Sequence, residues 1–307
     1  AMPIPCPLEL WGGLVAGDPC LSYITYHGFR IYYPLLIPLC LMAAMIGIKG
    51  SKAIYSTGAK AHSTYARAYG MYAIMMTCSG LAHCIVPSSS NAFFNFWITY
   101  LDLALTSSIA FHFGLAALAD MGFDEEGKFM KALMGVGEAA IFWLWLWFGF
   151  LHPTTKAFWY LYVGLIVICC GAYVLTQGVL LIKNGFRGFG WFATGAVAGA
   201  AGLWCMLNRA VLCAKFGANF GGSFWWDALS NVAMIALAGY YLTSRDMPNP
   251  TPTADEEQGP AQPHDEDDLF QEKRAAHDDL PSYHDLPQAH PQIVYIPLQM
   301  YPAPRED

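Results

Sequence analysis

Apolar residues along this chain fall into seven long runs separated by short polar links: 31–48, 68–87, 93–119, 129–150, 157–182, 191–213 and 222–243. A helix of about twenty mostly apolar residues crosses a bilayer, because lipid offers an open backbone N–H or C=O no partner. The pattern predicts an all-α integral membrane domain, 31–243, of seven transmembrane helices. Links this short make successive helices antiparallel neighbours. The fourth run contains Ile141-Phe142-Trp143-Leu144-Trp145-Leu146-Trp147-Phe148, and a tryptophan-rich half of this kind suits the aromatic belt at a membrane interface. A short segment, 1–30, precedes the first run, and a tail, 244–307, follows the last. Cys6, Asp18 and Cys20 ahead of the late first run do not read as a signal peptide.

Composition strengthens this picture. The 307 residues are 55% hydrophobic and 13% charged, too apolar for a soluble core of this length. Basic residues set an orientation. Lys49, Lys52, Lys60 and Arg67 follow the first run and Lys183 and Arg187 the fifth, whereas Arg30, Lys156 and Lys215 lie on the other side. The positive-inside rule then predicts an external N-terminus and a cytosolic C-terminus.

The net charge of −7 hides a division, since nine acids face twelve Lys and Arg up to Ser244, while fourteen acids face four bases beyond it. The tail is acidic and proline-rich and is expected to be disordered, for want of apolar surface to offset ordering. Within it, Leu280-Pro281-Ser282-Tyr283 has the form of a WW-domain ligand, and Tyr295-Ile296-Pro297-Leu298 that of a tyrosine-based sorting signal. Contacts with such partners would favour trafficking control and the plasma membrane over internal membranes. Of nine cysteines, most sit inside runs and behave as small apolar residues. Cys6 and Cys20 form a candidate external disulfide.

Polar residues retained inside apolar runs are costly and mark function more often than chance. Ser79 and His83 lie four apart in the second run and share a helical face. Asp102 lies early in the third run, so an antiparallel pair brings it to the depth of His83. An imidazole and a carboxylate at one level can hold a metal. They can equally satisfy each other as a buried hydrogen bond, and from these residues alone the structural reading leads. His112 and Glu138, in the third and fourth runs, form an inner polar pair. Packing glue is its first reading, and proton sensing or transport its second. The small-residue run Gly195–Gly202 suits close helix packing, within the fold or in a homo-oligomer.

Ser-x-x-x-His in the second of seven helices, followed by Asp at the start of the third, resembles the CREST superfamily of seven-helix membrane hydrolases. Alkaline ceramidases and adiponectin-type receptors belong to that group. The stretch from Asp102 to Ser108, and Phe113-Gly114-Leu115-Ala116-Ala117-Leu118-Ala119-Asp120 with Phe123-Asp124-Glu125, resemble most closely its transmembrane-8/myomaker branch. The resemblance covers the membrane domain and leaves the tail unmatched. It implies a zinc ion held by the histidine of helix two and by two histidines of helix seven. Serine and aspartate would complete the site, and the zinc would activate water for hydrolysis of a lipid amide or ester.

The chain departs from that pattern where the resemblance requires ligands. Gly222-Ser223-Phe224-Trp225-Trp226-Asp227 puts Gly222 and Trp226 in place of the two histidines, and the seventh run contains no histidine. Indole nitrogen is a donor only, so Trp226 is no substitute. Asp227, with His83 and Asp102, offers a rebuilt but unusual metal set. The favoured alternative is a buried ion pair of Arg209 with Asp102 and Asp227 in the space of the lost metal.

The resulting expectation is a non-catalytic membrane protein that binds no cofactor and acts in a receptor-like, adhesion, fusion or trafficking role. A zinc-dependent lipid hydrolase using Ser79, His83, Asp102 and Asp227 is the alternative, and a transporter using Arg209, Asp102, His112 and Glu138 the third. Membrane lipid is the expected partner. Nucleic acid is not, since no phosphate-cradling loop and no basic patch beyond the topological one is present. A retinal photoreceptor would need a lysine in the seventh run, which has none.

Overall fold

Aromatic and β-branched residues open the described part of the chain and pair as a hairpin before the first helix begins. The computed structural model describes residues 23–26, 29–85, 92–152 and 158–245. Strand β1 (Tyr23–Tyr26) runs antiparallel to β2 (Phe29–Tyr32), with Tyr23 opposite Tyr32 and Tyr26 opposite Phe29. Residues of this type suit a pleated strand. They take Ile31 and Tyr32 out of the first expected span, and helix α1 runs Leu36–Tyr55, starting and ending later than the apolar run. Lys49 and Lys52 thus belong to its last turns rather than to a loop, where cations meet the negative end of the helix dipole.

Helix α2 (His62–Gly80) continues through a wider π-helical turn, Leu81–Ile85. Helix α3 is Ala92–Met121, and α4 is Lys128–Leu144, prolonged by wide turns to Leu151. Helix α5 joins wide turns, Phe158–Gly164 and Ile166–Cys170, to a regular stretch, Gly171–Lys183. Helix α6 (Phe189–Leu207) stops at Asn208, the short α7 (Arg209–Phe216) follows, and α8 is Gly222–Ser244. The sixth apolar run, expected as one span, is therefore broken in two. The Asn208 side-chain amide donates to the Trp204 carbonyl at 2.9 Å, the local competition with the main chain that disfavours Asn inside helices.

Five of these helices are long and apolar enough to cross a membrane: Leu36–Tyr55, Phe96–Met121, Lys128–Leu151, Trp159–Lys183 and Phe189–Leu207. The apolar runs of α2 and α8 fall short because both helices carry polar groups turned inward, among them Thr64, Ser79, Asp227 and Asn231. Burial orders the bundle. In α3, 72% of the span is buried, against 22% in α1 and α4 and 17% in α5, so α3 is the innermost helix. The outer helices expose Leu41, Met45, Val136, Trp143, Ile168 and Val197, an apolar exterior far beyond what water tolerates. Glycines set the closest seams. A side chain at Gly47 would strike the α2 main chain at Tyr69, and one at Gly195 would meet Leu237 of α8 at 2.9 Å. Gly195 and Gly202 turn toward α8 while Gly199 faces open space, so the small-residue run seats one helix inside the fold.

The ends of α1, α2, α3 and α8 meet at one end of the bundle. Lys60 Nζ donates to the Asp120 carbonyl at 3.1 Å, and Tyr241 Oη donates to the Lys60 carbonyl at 3.0 Å. Ala61 precedes α2 in a left-handed conformation and provides no side-chain cap. Glu125 Oε2, just past α3, accepts instead from Thr64 N at 3.3 Å and Thr64 Oγ1 at 3.1 Å. A carboxylate from another element thus closes the open N–H groups of this helix start.

The chain divides into two compact units, Ala1–Met247 and Pro248–Asp307. All described residues belong to the first. The expected Cys6–Cys20 disulfide and the tail's disorder and linear motifs lie outside the described residues.

Candidate functional site

The π-helical turn at the end of α2 carries His83, and such turns recur where a helix must aim a side chain. Its Nε2 lies 3.6 Å from Asp102 Oδ2, with the two side chains 30% and 10% exposed. The antiparallel packing of α2 on α3 makes the meeting, as residue depth alone suggested. The contact is an ion pair when the imidazole carries its second proton. Ser79, one turn earlier, is buried on the same helix.

Asp227, buried in the first half of α8, does not join this pair. Among the described residues its Oδ2 receives the Cys40 thiol of α1, at 3.9 Å. A turn further along α8, Asn231 Oδ1 accepts from Tyr72 Oη at 2.8 Å, and Asn231 Nδ2 donates to the Leu39 carbonyl at 3.2 Å. These bonds fasten α8 to α1 and α2 and set the facing of Asp227.

Arg209 makes no ion pair among the described residues, so the Arg209–Asp102–Asp227 cluster is not made. The break at Asn208 takes Arg209 out of α6 and into the first turn of α7, where its main chain lies against Gly222. A side chain at position 222 would overlap the Cα and Cβ of Arg209 and come within 2.6 Å of the Cys205 carbonyl. The position that the resemblance assigns to a histidine is closed by the backbone of its neighbour.

His112 and Glu138 are brought together, with Nε2 3.3 Å from Oε1. His112 is fully buried and its Nδ1 lies 3.0 Å from the Ser108 carbonyl, which assigns the Nδ1 proton to that bond. Nε2 is near Glu138 but not aligned for a hydrogen bond.

A larger polar cluster was not foreseen. Asp120 Oδ2, at the end of α3, accepts from Arg245 Nη2 at 2.5 Å, Gln177 Nε2 at 2.6 Å and Tyr65 Oη at 3.1 Å. Tyr240 Oη donates to Gln177 Oε1 at 3.0 Å, and the guanidinium lies 5.2 Å from the Tyr241 ring centre. Four helices converge on one buried carboxylate. The sequence held a signal, because Gln177 stands alone as an amide in its apolar run and an arginine, Arg245, stands just past the last one. Neither drew notice beside the histidines.

The fit of a metal is poor. Among the described residues no three His, Cys, Asp or Glu side chains converge closely enough to hold an ion. His83 and Asp102 meet as two donors, and Asp227 turns to Cys40, so the rebuilt set of His83, Asp102 and Asp227 is not assembled. Cys213 in α7 is disulfide-bonded, with its partner outside the described residues. It is thus not one of the inert apolar thiols expected of the spans. No family model, curated protein or solved structure matches this chain.

Proposed function

We propose that this is a seven-span membrane protein of the CREST type that has lost its zinc site and acts without catalysis. Its role, on this reading, is receptor-like, adhesive or fusogenic, or one of trafficking, carried by the membrane body and tail. The observation that carries the reading is the donor set around His83. One carboxylate faces it, while the position expected to supply another ligand is Gly222, where the Arg209 backbone leaves no room for a side chain. With two donors, a zinc ion would lack the three protein ligands that catalytic sites use to hold it and to orient water.

Orientation is part of the proposal, with the N-terminus outside and the tail cytosolic. The basic residues Lys49, Lys52, Lys60 and Arg67, near the junction of α1 and α2, support it. So does the oxidised Cys213 near the opposite ends of the helices, since disulfides persist in oxidising compartments. Plasma-membrane delivery rests on Tyr295-Ile296-Pro297-Leu298 alone.

Metal content of the detergent-purified full chain, wild type beside His83→Ala, is the direct test. Less than a tenth of a zinc per chain in both is expected. About one zinc per wild-type chain, lost in the variant, would overturn the reading and assign a lipid amidase or esterase.

A further inference from the structure

Between α1 and α2, on the outer face of the bundle, runs an open groove of about 480 Å³. Ala44, Ile48 and Tyr55 line it from α1, and Gly70, Ala73 and Ile74 from α2. Ile48, Ile74 and Tyr55 stand as walls, 63%, 57% and 63% exposed. The floor is made of small residues. Two hydroxyls in the lining are already bonded at home, Ser51 to the Ala66 carbonyl at 2.7 Å and Thr77 to the Ala73 carbonyl at 2.9 Å. The one lining group left with bonding capacity and a full charge is Lys52, in the last turn of α1. It is exposed and has no ion-pair partner among the described residues. Lys49 stands one turn earlier, and no acidic residue lines the groove.

Length and charge select the occupant. From Ala44 to Tyr55 the groove follows α1 for about 16 Å at the helical rise. One leaflet of a hydrocarbon core is about 15 Å deep. A single acyl chain laid along that length lies between the Ile48 and Ile74 walls on the floor of small residues. Charge completes the choice, because a lone ammonium at the end where α1 leaves the apolar layer matches an anionic headgroup.

We infer that this groove binds one anionic phospholipid of the cytosolic leaflet, with its acyl chain along Ile48 and Ile74 and its headgroup on Lys52. The inference rests on the spanning orientation proposed above. The lipid would cover the seam where Gly47 of α1 lies against α2, and so links bilayer composition to the packing of the helix that carries His83.

Gly70 gives a clean probe. A β-carbon there meets only Ser51 Oγ, at 3.7 Å, an ordinary contact, so Gly70→Leu fills the groove without striking the fold and adds helix propensity. The full chain, reconstituted in nanodiscs of phosphatidylcholine with a minor share of phosphatidylserine, is then read by native mass spectrometry. Wild type should retain one phosphatidylserine per chain, favoured about fivefold over its share of the disc, the effect of one lysine near a charged headgroup. Lys52→Glu, at an exposed position, should lose that preference and still carry a lipid chain. Gly70→Leu should retain neither lipid while its circular dichroism and Tm stay at wild-type values. Equal retention of both lipids in wild type, or unchanged retention in both variants, would sink the inference. A lipid-free dimer that Gly70→Leu converts to monomer would also overturn it and name a second copy as the occupant. If Gly70→Leu fails to fold, the Lys52→Glu preference decides alone. Alkaline carbonate extraction of the cell membranes from which the chain is purified tests its integration separately, since a chain that stays in the membrane yet holds no such lipid refutes only the groove.

Discussion

At Gly222 one missing β-carbon decides what the outer site can hold. Any side chain there would collide with the Arg209 main chain and stand 2.6 Å from the Cys205 carbonyl. Restoring the histidine that the resemblance expects is therefore not a matter of adding a ligand. Gly222→His should lower stability by about 1–3 kcal/mol, the usual cost of forcing extra volume into a packed contact. Combined with Trp226→His it should still bind no stoichiometric zinc. Thermal unfolding of the purified variants, with their metal content, checks both halves. An unshifted Tm together with one zinc per chain would mean that α7 yields easily and the closed position is no barrier. The absence of the two histidines was legible in the sequence. That the position had also closed was not, since it depends on a backbone approach between α7 and α8 that no residue pattern encodes. Arg209 teaches the same lesson in reverse. Its depth along the apolar run pointed to Asp102 and Asp227, but the end of α6 one residue earlier places it in α7.

Among the elements, the strongest junction lies where α2, α3, α5 and α8 meet around Asp120. That carboxylate is inaccessible to solvent, and the Arg245 side chain is 13% exposed. A buried pair is poor evidence of net stability, but breaking one by removing a single partner is costly, about 3–5 kcal/mol, because a charge is left behind without compensation. Arg245→Ala should fall in that range. Asp120→Asn with Arg245→Gln should recover part of the loss, because neither charge then remains. A double-mutant cycle of unfolding free energies measures the coupling. A single-variant loss below about 1 kcal/mol would show that water reaches the carboxylate and that the clamp is superficial.

Helix existence was readable from apolar runs, with ends off by a few residues where strand, capping and break signals are weak. The wide turns in α2, α4 and α5 left no mark in the sequence that would separate them from ordinary helix. The Asp120 cluster escaped because Tyr65, Asp120 and Arg245 sit at helix ends, where polar residues are ordinary, and Gln177 was the one member inside a run. Only the assembled bundle shows that Gln177 and Tyr65 turn to the same oxygen.

For the whole molecule, hydropathy alone leaves α2 and α8 undecided; the seven-span proposal has both cross, and contacts at the helix ends support it. If α1 and α3 crossed a membrane and α2 did not, the link after α1 and the link after α3 would lie on opposite sides. Yet Lys60 reaches the Asp120 carbonyl, and Thr64 is held by Glu125. Arg245, at the end of α8, reaches the same Asp120. Helix α2 with its wide turn, and α8 alone, are each about 35 Å long at the helical rise, enough for a core of about 30 Å. Their polar groups bond to neighbouring helices, Asn231 to Tyr72 and Leu39 and Tyr65 to Asp120, which on the seven-span proposal accounts for the low hydropathy of α2 and α8. Single cysteines introduced at exposed loop positions test this topology. Ser56→Cys, between α1 and α2, should react with a membrane-impermeant maleimide only after cells are permeabilised. Asn219→Cys, between α7 and α8, should react on intact cells, by at least about tenfold over Ser56→Cys. Among the described residues Cys40, Cys78 and Cys84 are buried and Cys169, Cys170 and Cys205 half-buried, and the wild-type chain labelled in parallel sets the background. Labelling of both positions on intact cells would leave an even number of crossings between them and remove α2 from the spans. Inverted labelling would keep the crossings between the two positions and move Lys52 to the leaflet that carries little anionic lipid.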